Sequence, residues 1–229
     1  MTAALVLDDV VLGRPHAPLP HPVHLTVPAG ELLTVVGPSG CGKSTLLRTL
    51  AGLLPPLAGT VTAPAEHRAL VFQEDALLPW RTARANVELP LAIQGVPRPV
   101  RRATAEEWLG RVGLGEHTRR LPHQLSGGQR QRVQLARALA PEPRAVLMDE
   151  PFGALDVQTR AGMQDLLVEV LHGTGATVVF VTHDVDEALF LGDRVAVLGT
   201  GTVLDNPRPR DRDADLSGLR RDLLTALSA

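Results

Sequence analysis

Nine residues, GPSGCGKST at positions 37–45, constrain this chain more than any other segment. They follow the apolar run Leu32 to Val36 and open the helical pattern STLLRTLAGL. A G-x-x-x-x-G-K-[ST] spacing between a strand and a helix is a phosphate-binding loop. Gly37, Gly40 and Gly42 let the backbone through Pro38, Ser39 and Cys41 wrap closely around an anion. The free N–H groups and the helix N-terminus both favour negative charge there. In such a loop Lys43 reaches the β- and γ-phosphates of a nucleotide, and Ser44, beside Thr45, offers its hydroxyl to Mg2+. Lys43 is also the only lysine among 23 basic residues. A chain that otherwise uses arginine keeps lysine where a compact ammonium on a thin stem is needed, which a planar guanidinium cannot replace.

Around this loop, strand-sized apolar runs alternate with helical patterns. Leu32 to Val36, Ala145 to Met148, Thr177 to Val181 and Val195 to Leu198 read as strands. Met163, Leu166, Leu167, Val170 and Leu171 form a helical stripe that Gly173 ends. The alternation predicts a largely parallel sheet with helices on both faces. No strand is legible between Phe72 and Ala145, whereas Arg101 to Val112 and Ser126 to Ala140 read as helices, the second stopped at Pro141. The expected fold is therefore α/β: a P-loop core over about 1–74 and 141–210, with a helical lobe inserted at about 75–140. Arg14 to Pro22 reads as a proline-rich loop. A short amphipathic helix is expected over about 214–228, and its stripe Leu216, Leu219, Leu223 and Leu227 reads as packing rather than as a partner site.

With 25 carboxylates against 23 bases, the chain lacks the basic footprint of a nucleic-acid binder, so no nucleic-acid partner is expected. The single cysteine, Cys41, fits a reducing setting. The N-terminus shows no basic n-region and no long apolar core, so no signal peptide is expected. No apolar run approaches the ~20 residues of a spanning helix, so work at a membrane would require docking on a partner.

Three further positions are candidates for chemistry. The strand Ala145 to Met148 leads into Asp149-Glu150. An aspartate at a strand end beside a phosphate loop can hold Mg2+ through water, and the neighbouring Glu150 can polarise an attacking water. An acidic pair at a helix N-terminus is the plainer alternative. The strand Val178 to Val181 leads into Thr182-His183-Asp184, where ligands bind in open α/β folds; His183 can hydrogen-bond a γ-phosphate or be structural. Gln73, after Ala69 to Phe72, can contact Mg2+ or the attacking water.

These signals join a fourth, LSGGQRQRVQLARAL from Leu125 to Leu139. Together with GPSGCGKST upstream and MDEPFGALD downstream, it resembles the signature segment of the ABC ATPase superfamily, and the resemblance runs through nearly the whole chain in the family's order. Ser126 can cap the helix that follows, while Gly127, Gly128 and Gln129 present a helix N-terminus to an anion. The resemblance implies that this turn contacts the γ-phosphate held by a second copy of the chain, giving two composite sites head to tail. It also implies that Asp156 crosses that interface. VFQEDALLPWRTARANVELPL, MDEPFGALDVQTR, VTHDVDEALFLGDRVAVL and the tail NPRPRDRDAD are similar to the ATPases of nitrate, sulfonate and taurine importers. The expectations that follow are Mg2+-dependent ATP hydrolysis, separate transmembrane permease subunits, an indirect link to a solute-binding protein, and a peripheral place on the cytoplasmic face of the membrane. Neither a fused membrane domain nor the extra C-terminal β-domain of maltose-type importers is expected.

In one respect the chain departs from the family pattern. An aromatic residue in the early loop usually stacks on adenine; this chain has no tyrosine, and its first aromatic is Phe72. Arg14 and His16 lie near the expected place. Leu77, Leu78, Pro79 and Trp80 admit two readings, core packing or a groove for a short permease helix. An exporter ATPase with a separate permease remains an alternative function. A soluble ABC protein of ribosomes or DNA would carry two cassettes or a coiled-coil insertion, and a non-catalytic nucleotide-gated module would have no use for Lys43, Glu150 and His183 together.

Overall fold

Apolar runs with no polar alternation become strands buried on both faces, and in the computed structural model, which describes residues 3–64 and 68–228, they do so around the phosphate loop. The strands are β1 Ala3–Val11, β2 Gly13–Arg14, β3 Ala17–Pro18, β4 Val23–Pro28, β5 Leu32–Val36, β6 Ala58–Thr62, β7 Arg68–Val71, β8 Ala145–Asp149, β9 Thr177–Val181, β10 Arg194–Val197 and β11 Thr202–Asp205. The α-helices are α1 Lys43–Leu50, α2 Ala83–Ile93, α3 Arg98–Arg111, α4 Gly127–Leu139, α5 Val157–Leu171, α6 Val185–Leu191 and α7 Ser217–Ser228.

The main sheet has the order β11-β10-β5-β9-β8-β7, parallel throughout except for β11. All five residues of β5 and of β9 are buried. On one face Leu33 and Val35 pack against Leu46, Leu47 and Leu50 of α1; on the other, Val146, Met148, Val178 and Phe180 meet α4 and α5. The fold is the P-loop α/β type that the alternation predicts. Between β7 and β8 the described residues form helices and no strand. Ala105, Trp108, Leu109 and Val112 are buried together in that stretch.

Several local readings change. A second sheet, the antiparallel β4-β1-β6, covers α1 and was not legible in the sequence. The segment read as a loop at Arg14 to Pro22 begins with the small hairpin β2–β3. The strand expected at Val195 to Leu198 lies one residue earlier, because the turn into β11 starts at Leu198 and Gly199 with a φ of +113°. The last helix starts at Ser217 rather than near 214, where Ser217 N donates to Asp215 Oδ1 at 3.1 Å. Its stripe is packing, as read: Leu223 is buried, with Leu216, Leu219 and Leu227 against the same cluster. The tail before it is pinned by Arg210, whose Nη1 and Nη2 donate to Asp193 Oδ1 and Oδ2 at 2.6 and 3.0 Å. The outer limits of the expected division, 1 and 229, lie outside the described residues.

Candidate nucleotide site

The carboxyl ends of β5, β7, β8 and β9 lie side by side, so the residues that follow each strand share one edge of the sheet. After β5 comes the loop 37–42. Gly40 and Gly42 take φ of +83° and +102°. A Cβ at Gly37 would lie 2.7 Å from Cys41 Sγ and 3.0 Å from the Leu198 carbonyl oxygen, so the loop closes only around glycine. Gly42 is the N-cap of α1 and brings no capping side chain, so the first-turn N–H groups point into the loop without a side-chain acceptor. Lys43 is 8% exposed, and its Nζ donates to the carbonyls of Gly37 at 2.8 Å and Pro38 at 3.1 Å. Ser44 and Thr45 follow in the first turn of α1.

Parallel pairing of β8 with β9 sets Asp149 opposite Val181, and Glu150 N donates to the Val181 carbonyl at 3.0 Å. Glu150 has a φ of +45°, unusual for a residue with a side chain. That turn sends its carboxylate toward the residue after β9: Glu150 Oε2 lies 2.8 Å from His183 Nδ1. Glu150 is 23% exposed and His183 62%, so the imidazole faces outward while the carboxylate is sheltered. Gln73, after β7, joins them; a Cβ at Gly153 would meet Gln73 Nε2 at 3.5 Å and Glu150 Oε2 at 3.7 Å. Gln73, Asp149, Glu150 and His183 are thus gathered beside the loop of Lys43.

The signature residues lie elsewhere. Ser126 caps α4, its Oγ accepting from Gln129 N at 3.2 Å while Gln129 Oε1 accepts from Ser126 N at 3.0 Å. Ser126 and Gly127 are exposed. Gly128 approaches Thr159 at the start of α5, where a Cβ would come within 2.9 Å of Thr159 Cγ2. Asp156 caps α5, accepting from Thr159 N at 3.0 Å and from Thr159 Oγ1 at 2.6 Å; the Thr159 hydroxyl holds its carboxyl below the ordinary range.

Sequence reasoning missed the residues that hold Gln73 in place. From α4, Gln131 Nε2 donates to the Gln73 carbonyl at 3.0 Å, and Gln134 Nε2 donates to those of Phe72 and Glu74 at 3.0 and 2.9 Å. Arg130 Nε pairs with Asp75 Oδ2 at 2.7 Å, and Arg137 donates to the Asp75 and Ala76 carbonyls. The available signal was a pair of glutamines three apart on the inward face of a helix, polar groups that need partners when buried. Leu19 was missed as well: it lies over Gly42, whereas Arg14 and His16 are exposed on the β2–β3 hairpin. The stretch after Gln73 divides. Leu77 is in the core, while Trp80 is 73% exposed, so core packing does not describe the tryptophan.

The family model described as ABC transporter matches residues 20–153. A taurine import ATP-binding protein, TauB, of Yersinia pestis bv. Antiqua is 47% identical over 186 residues, covering 78% of this chain and 73% of that one. An aliphatic sulfonates import ATP-binding protein, SsuB, of Rhodopseudomonas palustris is 48% identical over 217 residues, covering 90% and 76%. Among solved structures, cbiO1 of Clostridium perfringens, part of the ABC transporter complex cbiONQ, is 25% identical and superposes with a TM-score of 0.83 over 98% of this chain and 96% of its own.

Proposed function

We propose that this chain, which belongs to the ABC transporter family, is the ATP-hydrolysing subunit of an importer for a small solute of the nitrate, sulfonate or taurine class. The observation that carries the reading is the Glu150–His183 pair at 2.8 Å beside the loop of the chain's only lysine. The loop N–H groups and Lys43 hold the phosphates, the ammonium exchanging the Gly37 and Pro38 carbonyls for phosphate oxygens. Glu150 takes a proton from the water that attacks the γ-phosphorus as the bond to the ADP oxygen breaks. His183 holds the Glu150 carboxylate in position, and Gln73 orients the water.

The donor set fits Mg2+. Ser44, Asp149 and Gln73 offer few, hard oxygens, and the described residues contain no cluster of three His, Cys, Asp or Glu side chains able to hold a metal alone. Such a site takes its ion together with a nucleotide, and the ion neutralises charge on the phosphates. Ser126, Gly127 and Gly128 complete the site of a second copy, with Gln129 fixing their turn. Residues of about 75–140 act as a lobe that moves with Gln73, and Trp80 meets the permease subunits. No helix among the described residues is long and apolar enough to cross a membrane; the chain works peripherally, on the cytoplasmic face, and reaches a solute-binding protein only through the permease.

Phosphate release from MgATP by the purified chain tests the reaction. Glu150→Gln is expected to bind ATP within about threefold of wild type, to lose turnover at least ~100-fold, and to run as a dimer on gel filtration with ATP. A wild-type chain that releases no phosphate removes the ATPase reading. Uptake of taurine, alkanesulfonate or nitrate by the complex reconstituted with its permease distinguishes the solutes, and outward transport alone would make it an exporter.

A further inference from the structure

His183 stands on a backbone held from both sides by one helix. On its far side, Asp184 Oδ2 pairs with Arg160 Nη1 of α5 at 3.3 Å. Asp184 meanwhile caps α6 through its other oxygen, accepting from Asp186 N at 2.9 Å and Glu187 N at 3.1 Å. On its near side, Thr182 Oγ1 donates to the buried Glu187 Oε2 at 2.6 Å and accepts from Asp184 N at 3.0 Å. Glu187 Oε1 accepts in turn from Gln164 Nε2 at 3.0 Å, one helical turn beyond Arg160 on α5. Gln164 is itself tied to the tail, its Oε1 accepting from Arg212 Nη2 at 3.2 Å. The two residues flanking His183 are thus tied to α5 at two successive turns, Asp184 directly and Thr182 through Glu187, while the imidazole between them pairs with Glu150.

The same arginine reaches the other end of the site. Arg160 Nη2 donates to the Leu155 carbonyl at 3.1 Å, in the turn between Glu150 and the Asp156 cap. Thr159, its neighbour, is hydrogen-bonded to Asp156 and lies against Gly128 of the signature turn. One guanidinium therefore joins the 153–156 turn to the residue after His183.

We propose that Arg160 is a positioning residue for turnover: it fixes His183 relative to the 153–156 turn, so that a displacement of the signature turn or of Asp156 is felt at the Glu150–His183 pair. The effect on turnover rests on the ATPase reading above; the mechanical link does not. A planar fork suits the role, since its two nitrogens hold acceptors on two different segments at fixed relative positions. An arginine that merely joined α5 to α6 would affect stability and leave the folded enzyme's turnover alone.

Arg160→Met keeps the stem and removes both hydrogen bonds. The expected result is a roughly tenfold fall in kcat, with KM for ATP and the affinity for a non-hydrolysable analogue within about twofold of wild type. Amide exchange over 182–187 should speed at least several-fold while that of α1 is unchanged. Asp184→Asn keeps a capping side chain and weakens only the ion pair; it should lower kcat about threefold, and the double variant should be no slower than Arg160→Met alone. Multiplicative losses, a kcat within twofold of wild type in folded Arg160→Met, or unchanged exchange over 182–187 would overturn the proposal. Should Arg160→Met not fold, Asp184→Asn decides it by the same two readouts. A wild-type chain without ATPase activity sinks the functional reading, and the exchange comparison still decides whether Arg160 joins the two segments.

Discussion

The first turns of α1 and α4 are both glycine-flanked helix N-termini able to face phosphate, and they are built in opposite ways. At α1 the cap is Gly42 in a left-handed conformation, with no capping side chain, and the charge of Lys43 lies buried within the loop. At α4 the cap is Ser126 in an extended conformation, its side chain and that of Gln129 closing a reciprocal box, with no lysine or arginine at the positions 126–129. The α1 turn keeps its donors for a ligand and brings its own counter-charge, so it can bind alone. At the α4 turn the side chains satisfy the N–H groups of Ser126 and Gln129 and the turn stays exposed, so it suits a surface that adds the last contacts to a phosphate held by another copy. Affinity should therefore reside at the first turn and completion of the reaction at the second.

Mutations separate the two. Lys43→Ala should weaken ATP binding about 100-fold or more and leave no measurable hydrolysis, because a buried ammonium on a phosphate is a strong charge-assisted contact; titration calorimetry giving near-wild-type affinity would break the comparison from the α1 side. Ser126→Arg should leave ATP affinity within about threefold and cut hydrolysis at least ~30-fold, by preventing the signature turn from closing. Normal turnover in that variant would break it from the α4 side. Ser126→Ala removes only the cap and should cost about 1 kcal/mol, a fall in Tm of roughly 2–4 °C in a chain of this size, with ATP binding unaffected.

The smallest expected effect is at the buried acid behind His183. Burial, against the hydrogen bonds from Thr182 and Gln164, pushes the Glu187 carboxyl above its ordinary value. A folded pKa above the unfolded one gives stability that is complete below the unfolded pKa and is lost as pH rises through the folded one. Glu187→Gln, which cannot ionise, should therefore melt slightly higher than wild type at pH 7.5 and lose that advantage near pH 4. Equal melting curves at both pH values would show that the acid is not held against ionisation.

What was legible in the sequence was local chemistry. The phosphate loop is specified by residues within 37–45, and the α4 box by Ser126 and Gln129, three apart. The closeness of Glu150 and His183 needed one more step, because it follows from β8 and β9 being parallel neighbours in register. The antiparallel sheet was not legible, since β1 lies between β4 and the distant β6 and its pattern is broken at Asp9, where φ is +53° and the register shifts. Leu19 over Gly42 and the glutamine grip on residues 72–74 are tertiary contacts with no spacing signature, so Arg14 and His16 were nominated by position alone. Trp80 could not be assigned from its neighbours, because Leu77 three residues away belongs to the core.

With Glu150 as the base proposed above, its left-handed backbone sets this protein's stability against its turnover. A side-chain-bearing residue at a φ of +45° carries a conformational penalty of roughly 1 kcal/mol or more, which glycine, and to a lesser degree asparagine, escapes. Position 150 is thus a place where the most comfortable residue and the useful one differ. Any selection for expression or heat resistance that does not also demand turnover would favour replacing the acid and return a sturdier, inert protein. A laboratory lineage that drifts to glycine at 150 while still binding ATP would make that conflict visible.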